Sequence, residues 1–434
     1  MRFGTRTTSA YRAKRRPIVA LMLDFAPPWL ISNFNAAARR MDFVAVETVA
    51  ERPERRAGAG HIKIEQFRRH TVFATAISHP DNSRAFVRGV AESLGSLAPD
   101  VVVTMGWSGP RNLAALLWAL NNRVPTVLVV DSNEHDFLRT AWKEGVKRRL
   151  VSQYCVGWAA GTSSARYLAT LGMPTDRIVR GPVDTIDVYH FGTGADAARS
   201  RANHVRRSLG LPRNYFLSVS RLAPEKNLLK LAEAYALYRS RAGIEAWPLV
   251  MVGDGSMRNQ LEQTVQQQGL QNAVWLPGWK SFEEMPPYYG LAAAFILAST
   301  REPWGVVVNE AMAAGLPILV SSRCGCVPEL VKEGRNGFTF DPHNPVRMAE
   351  LMWKLAHGQC DRDAMGRASR EIIAQWCPDG YAESLLDAVN TALTHPARKT
   401  RPWDRLLLAA LIRRDFGRST IHEAASRHIG RRGI

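Results

Sequence analysis

Apolar runs alternate with amphipathic stretches along almost the whole chain, the pattern of parallel strands joined by helices. In the first half, strands are predicted at 17–24 (PIVALMLD), 43–49 (FVAVETV), 100–106 (DVVVTMG) and 125–131 (PTVLVVD), with segments at 156–163 and 176–183 finishing this half. Helical spacing fills 33–40, 81–97 and 110–122 between them. Strands that are apolar on both faces belong inside a doubly wound sheet. The pattern lapses over 182–212, a stretch of Asp, Gly, Arg and Pro, and then resumes. Six further strands are predicted at 215–220, 248–253, 273–278, 293–299, 317–322 and 337–341. Helices are predicted at 227–242, 256–268, 281–291, 306–314 and 326–333, with 345–357, 361–376 and 380–394 closing the fold. The fold class is therefore α/β, with two facing doubly wound domains. The divisions are a basic extension 1–16, an amino-terminal domain 17–190, a linker 191–212, a carboxyl-terminal domain 213–376, a closing helix 377–396 and a basic amphipathic tail 397–434. Two such domains put a cleft at the carboxyl ends of both sheets, so chemistry is expected on the strand-to-helix loops.

Composition narrows the function classes. A chain of 434 residues is too long for one ordinary core, and 46% hydrophobic with 22% charged residues excludes a disordered protein. The apolar run PIVALMLDFAPPWLI is cut by Asp24 and by Pro27-Pro28, which makes it a buried strand rather than a signal peptide. No window approaches the roughly 20 apolar residues of a membrane span. Five scattered cysteines, of which only Cys324 and Cys326 are close, suit neither a zinc site nor a redox pair. A reducing, cytoplasmic setting is expected, with any membrane contact peripheral.

The net charge of +18 is unevenly distributed. Residues 1–16 carry six Arg/Lys and no acid, and residues 397–434 carry ten against Asp404, Asp415 and Glu423. Such ends suit an anionic bilayer surface, an anionic substrate or nucleic acid, or are simply solvated tails. No nucleic-acid module is visible, so nucleic acid is not the expected partner.

Four loops carry candidate chemistry. In SVSRLAPEKN (218–227) a strand ends and a helix begins, with Arg221 and Lys226 between them. A forked donor, a point charge and free helix N–H groups suit a diphosphate, although the two cations alone read equally well as solvated. Gly253 and Gly255 of MVGDG permit close backbone approach but lack the third glycine of a dinucleotide fingerprint. Pro277 and Gly278 of WLPGW form a turn that can offer a flat wall to a base. In STREPWGVVVNEAMAAGLP, Glu302 precedes a helix that starts near Val306 and stops at Gly315, and Glu310 lies on its second turn. Ionised carboxylates suit sugar hydroxyls, though isolated glutamates are more often paired or solvated.

The order of these loops, SRLAPEKN … VGDG … LPG … EPWGVVVNEAMAAGLPILVSS … PELV … GRNGF, resembles the carboxyl-terminal domain of the family-4 retaining glycosyltransferases, of the GT-B fold with its two Rossmann-like domains. The resemblance is dense over 215–342 and weaker over 17–190, where LGMPTDRIVRGPVD is similar to the family's approach to its linker. It implies transfer of a sugar from a nucleotide-diphospho-sugar, with retention of anomeric configuration, to an acceptor such as a glycan or lipid-linked saccharide held on the amino-terminal side. It assigns Arg221 and Lys226 to the donor diphosphate, Glu310 to the ribose hydroxyls and Glu302 to the transferred sugar. Trp304, Gly305 and Val306 would lie along the sugar and phosphates, and Gly253, Gly255, Pro277 and Gly278 complete the donor side.

Three departures stand out, the first two on the acceptor side and the third in the loop after the strand predicted at 317–322. The chain has DFAPPWLISNFN where many members have a glycine pair, Asp131 and then His135 where many have a histidine, and SSRCGCVPE with Cys326 for a second glycine. Asn33, Asp131 and His135 are the acceptor-side candidates. The nucleotide-sugar is a co-substrate, and no cofactor is expected. The one Asp-x-Asp, Asp361 to Asp363, falls outside the cleft loops at a helix start, so no obligatory metal is expected. A same-fold epimerase or hydrolase, or a basic anion-binding protein on a degenerate transferase, are the alternative readings. In the tail, RPWDRLLLAALIRRDFGR places Leu406, Leu407, Ala410, Leu411 and Phe416 near one helical face with arginines around it. That face suits an anionic membrane surface or packing on the fold.

Overall fold

The computed structural model describes residues 15–49, 65–74, 83–134, 136, 139–395 and 401–429, without the side chains of Pro28 and 416–429. The first sheet holds β1 (Ile18–Leu23), β2 (Asp42–Val49), β3 (Arg68–Phe73), β4 (Val101–Met105), β5 (Thr126–Val130), β6 (Val156–Ala159) and β7 (Ile178–Arg180). The strands lie in the order β3-β2-β1-β4-β5-β6-β7. The second sheet holds β8 (Phe216–Val219), β9 (Leu249–Val252), β10 (Val274–Trp275), β11 (Ala294–Leu297), β12 (Ile318–Ser321) and β13 (Gly337–Phe340), ordered β10-β9-β8-β11-β12-β13. Every pairing in both sheets is parallel. The central strands are buried on both faces because helices cover both sides, which is why they read as continuous apolar runs. β3 was not expected from the sequence. Its residues RRHTVF are half exposed, since it is an edge strand paired with β2 alone.

The chain order fixes where ligands can reach. In the second sheet it runs β8, β9, β10 to one edge, returns to β11 beside β8, and continues to the other edge. The helical connections therefore leave a crevice at the carboxyl ends of β8 and β11, the topological switch point of the sheet. In the first sheet the corresponding point lies between β1 and β4.

One apolar core runs through both domains, from Leu21, Phe34 and Trp158 to Val250, Leu297 and Val320. The closing helix Pro378–Thr394 crosses back to the first sheet, where Tyr381 packs edge-on to Trp158 at 5.0 Å. The stretch in which the strand pattern lapses is helical, as Val188–Ser200 and Ala202–Leu209. The first of these helices packs on helices Met285–Leu291 and Val306–Ala313 of the second domain.

The tail forms a helix, Pro402–Ile429, packed on helix Pro110–Asn122 of the first domain. Its buried face is Leu408, Leu411 and Ile412, with Asp404 buried and ion-paired to Arg149 at 2.6 Å. This corrects the expected face. Leu411 is used up in packing on the fold, whereas Leu406 and Trp403 are 62% and 76% exposed. The side chain of Phe416 lies outside the described residues. Among the described residues, no helix is long and apolar enough to cross a membrane.

Candidate functional site

The loops after β8 and β11 meet at the switch point and are tied to each other. The amide N–H of Thr300 donates to Glu225 O at 2.9 Å, and the Asn227 side-chain amide donates to Ala298 O at 3.1 Å and Pro342 O at 2.7 Å. Asn227 adopts a left-handed conformation, φ +58°, at the entry to helix Leu228–Ala242. Its neighbour Lys226 is thereby turned toward the β11 loop. There its ammonium donates to Glu302 Oε2 at 2.5 Å, and the Ser299 hydroxyl donates to the same oxygen at 3.1 Å. Both side chains are largely buried, at 16% and 12% exposed, so the pair is little screened by solvent. Arg221 behaves differently. It is 72% exposed and paired with Glu225 at 2.6 Å, on the rim of the same loop.

Gly253 and Gly255 are needed for loop packing. Their φ values are +139° and +152°, and a Cβ on Gly253 would stand 1.8 Å from Ser220 O, one on Gly255 2.5 Å from Leu222 O. The Gly253 amide N–H donates to Gly278 O at 3.0 Å, which draws the turn of Pro277 and Gly278 onto the same loop cluster. Trp304 is buried and donates through its indole N–H to Asn309 Oδ1 at 3.0 Å. Gly305, with φ +105°, starts the helix Val306–Ala313, so the first turn of that helix faces the switch point beside Glu302. Glu310 lies one turn further and accepts a hydrogen bond from the Tyr289 hydroxyl at 2.6 Å. Burial pushes its carboxyl up to about 7, and Tyr289 only partly offsets this.

The first domain closes over these loops. The Asn133 amide donates to Pro303 O at 3.3 Å, the Thr162 N–H donates to Glu329 Oε1 at 2.7 Å, and the Asn309 amide donates to Asp184 O at 2.9 Å. Gly325 stands where the sequence keeps the first glycine of the Gly-Cys pair, and a Cβ there would lie 1.7 Å from Pro303 O. Cys324 and Cys326 are buried beside it, and burial pushes both thiols well up, so they stay protonated and inert.

Three carboxyls converge where the domains meet. Asp184 follows β7 and feels both Asp131, from the end of β5, and Glu302 of the second domain. Burial first, then these two neighbours, push Asp184 up to about 8. Asp131 is raised by burial as well, and so is Asp136, to about 6, with Asp131 adding to it and Arg139 and Arg301 opposing. The Oδ2 of Asp184 is buried without a hydrogen-bond partner. Asp184, Ser299 and Tyr289 escaped the sequence reading. Asp184 ends the run LGMPTDRIVRGPVD, and that position was the available signal.

Of the acceptor-side candidates, Asp131 joins this cluster and His135 lies outside the described residues. Asn33 is fully buried on helix Ile31–Arg40, with neither amide atom hydrogen-bonded. Asp361 accepts the Ala364 N–H at 2.9 Å and so caps its helix, remote from the cleft loops. Among the described residues, no group of three or more His, Cys, Asp or Glu could hold a metal ion.

Residues 201–372 match the family model for glycosyl transferases group 1. The chain is 29% identical over 273 residues to the GDP-mannose-dependent alpha-(1-6)-phosphatidylinositol monomannoside mannosyltransferase of Mycobacterium tuberculosis, covering 56% of this chain and 69% of that one. It is 26% identical over 228 residues to the mannosylfructose-phosphate synthase of Agrobacterium fabrum, covering 50% and 48%. Among solved structures, Anabaena HepE in complex with UDP and glucose superposes with a TM-score of 0.68 at 17% identity, over 86% of this chain and 99% of that one. Sucrose-phosphate synthase from Thermosynechococcus elongatus gives 0.66 at 17% identity, over 86% and 98%. A region matching the group 1 glycosyl transferases is thus seated in two doubly wound parallel sheets, the arrangement of the GT-B fold.

Proposed function

We propose that the chain moves a hexosyl group from a nucleotide-diphospho-sugar to a glycan or lipid-linked saccharide acceptor, with retention of anomeric configuration. The observation that carries this reading is the seat of Lys226, a little-exposed cation fixed by Glu302 at the switch point beside the first turn of helix Val306–Ala313. A leaving diphosphate gains negative charge as the anomeric carbon becomes oxocarbenium-like. A cation and helix N–H groups held in place stabilise that charge more in the transition state than in the ground state. Binding would transfer Lys226 from Glu302 to phosphate and free the Glu302 carboxylate for sugar hydroxyls. Arg221, already on the rim, would add a second cation, and Glu310 would accept from the ribose hydroxyls. Since these cations neutralise the diphosphate, transfer needs no divalent ion.

The relatives agree in chemistry with this reading. One is named for GDP-mannose, and a solved structure of similar fold holds UDP and glucose. On the acceptor side, Asp131 and Asp184 would meet the incoming hydroxyl, and retention would follow from attack on the face that the diphosphate leaves. The exposed Trp403 and Leu406, beside exposed Arg405 and Arg413, would rest the tail helix on an anionic membrane surface from the cytoplasmic side. The test of the reaction is incubation with UDP-, GDP- and ADP-hexoses and a panel of saccharide acceptors, with and without chelator, followed by proton NMR of the product. The anomeric coupling of the donor sugar should persist in the product. Its inversion, release of free sugar only, or a need for added metal would contradict the reading.

A further inference from the structure

At the opposite end of the second sheet, the segments leading into β8, β11 and β12 line a cavity of about 490 Å³. The donor-side loops leave the other ends of these strands, four residues or about 13 Å away. Six arginines line the cavity: Arg199, Arg206, Arg213, Arg362, Arg367 and Arg370. Among the described residues, the only carboxylates in its wall are Asp196 and Asp363, which leaves a large positive excess.

Internal pairing uses up part of this charge. Arg370 grips both oxygens of Asp196 at 3.1 and 2.6 Å, and Arg199 shares the same carboxylate at 2.9 Å while donating to Ala314 O at 2.5 Å. Arg362 lies over the Trp247 ring at 4.6 Å. Among the described residues, no carboxylate lies within salt-bridge distance of Arg206, Arg213 or Arg367, and the buried Nε of Arg206 has no hydrogen-bond partner. Arg199 is destabilised as a cation by burial and by Arg370, which is what crowding like charges in a concavity does.

The backbone is built to bring these groups together. A Cβ on Gly366 would stand 2.3 Å from Gly315 O, so helix Arg362–Ile373 can pack directly on the turn before β12. A Cβ on Gly290 would likewise meet Ala195 O at 2.7 Å, so helix Val188–Ser200 packs close on the other side. Cations spread over an open surface repel weakly, whereas a concave wall of one sign focuses its potential on its interior. Guanidinium forks match phosphate oxygens two at a time, and a carboxylate or neutral sugar would leave most of these donors unanswered.

We propose that this cavity binds a small anion carrying two or more phosphate groups, at a site separate from the nucleotide-sugar cleft. The test is calorimetric titration of the full chain with tripolyphosphate and with orthophosphate at fixed ionic strength without divalent ions. Tripolyphosphate should fill a saturable site at least tenfold more tightly than orthophosphate. That site should persist in Lys226→Ala and weaken at least thirtyfold in Arg206→Gln/Arg367→Gln. The charge-matched control Arg40→Gln/Arg88→Gln should stay within about twofold, and Arg206→Lys/Arg367→Lys, which keeps charge but loses the forks, should fall between. Wild-type affinity in Arg206→Gln/Arg367→Gln would overturn the proposal. So would equal weakening in the control, loss of all binding in Lys226→Ala, or no saturable binding at all.

Discussion

Lys226 and Glu302 are 76 positions apart in the chain, yet their side chains meet at 2.5 Å where β8 and β11 end. The contact follows from strand order, because a doubly wound sheet brings these two loops together at its switch point. Lys226→Ala removes the cation while Glu302 keeps the Ser299 hydroxyl. We expect kcat/KM for transfer to fall by about 10²–10³-fold with little change in Tm. Steady-state kinetics and thermal melting of the purified variant check this, and wild-type turnover would remove Lys226 from the donor site.

Glu310 should set a pH dependence on donor binding. Its carboxyl is pushed up to about 7 by burial, and only the ionised form accepts from two ribose hydroxyls. Donor KM should therefore fall as pH rises from 6 to 8, and Glu310→Gln should flatten that profile. A KM profile of the variant parallel to wild type would contradict the role.

Asp184 should carry a stability cost that grows with pH. Its carboxyl titrates near 8 in the fold, against about 3.9 in an unfolded chain. A raised carboxyl contributes its stability fully below the unfolded value, and that contribution is lost as pH rises through the folded one. Asp184→Asn has no charge to bury, so its Tm relative to wild type should climb steadily between pH 4 and pH 8. Calorimetric melts at four pH values in that range decide it.

The tail is predicted to be part of the fold and to present a second, outward face. Ending the chain at Pro396 would strip Leu408, Leu411 and Ile412 from the core, at about 1.5–3 kcal/mol per side chain, and Tm should drop by several degrees. Trp403→Glu/Leu406→Glu should leave Tm unchanged but abolish sedimentation with anionic vesicles. Equal sedimentation of variant and wild type would show that this face does not meet the membrane.

What the sequence made legible was whatever depends on local pattern. The six strands of the second sheet are short, mostly apolar runs with helical spacing between them, and each was found. β3 was missed because an edge strand with Arg68, Arg69 and His70 buries too little to look like its neighbours. The glycines at 253 and 255 could be read as a turn, but not as the points where two loops press together. Asp184 drew no notice because its neighbours Asp131 and Glu302 arrive from two different sheets. The tail's amphipathicity was visible too, though a helical wheel does not say which of two adjoining faces meets helix Pro110–Asn122.

The central claim is that Lys226 belongs to a nucleoside-diphosphate site. The most direct test is thermal and calorimetric titration of wild type and Lys226→Ala with UDP, GDP and ADP. One of the three should stabilise wild type by about 2.7 kcal/mol at 100 times its Kd. The same nucleotide at the same concentration should shift Lys226→Ala by far less. If no nucleoside diphosphate stabilises the wild type, or if the variant responds equally, the donor site does not lie at the meeting of β8 and β11.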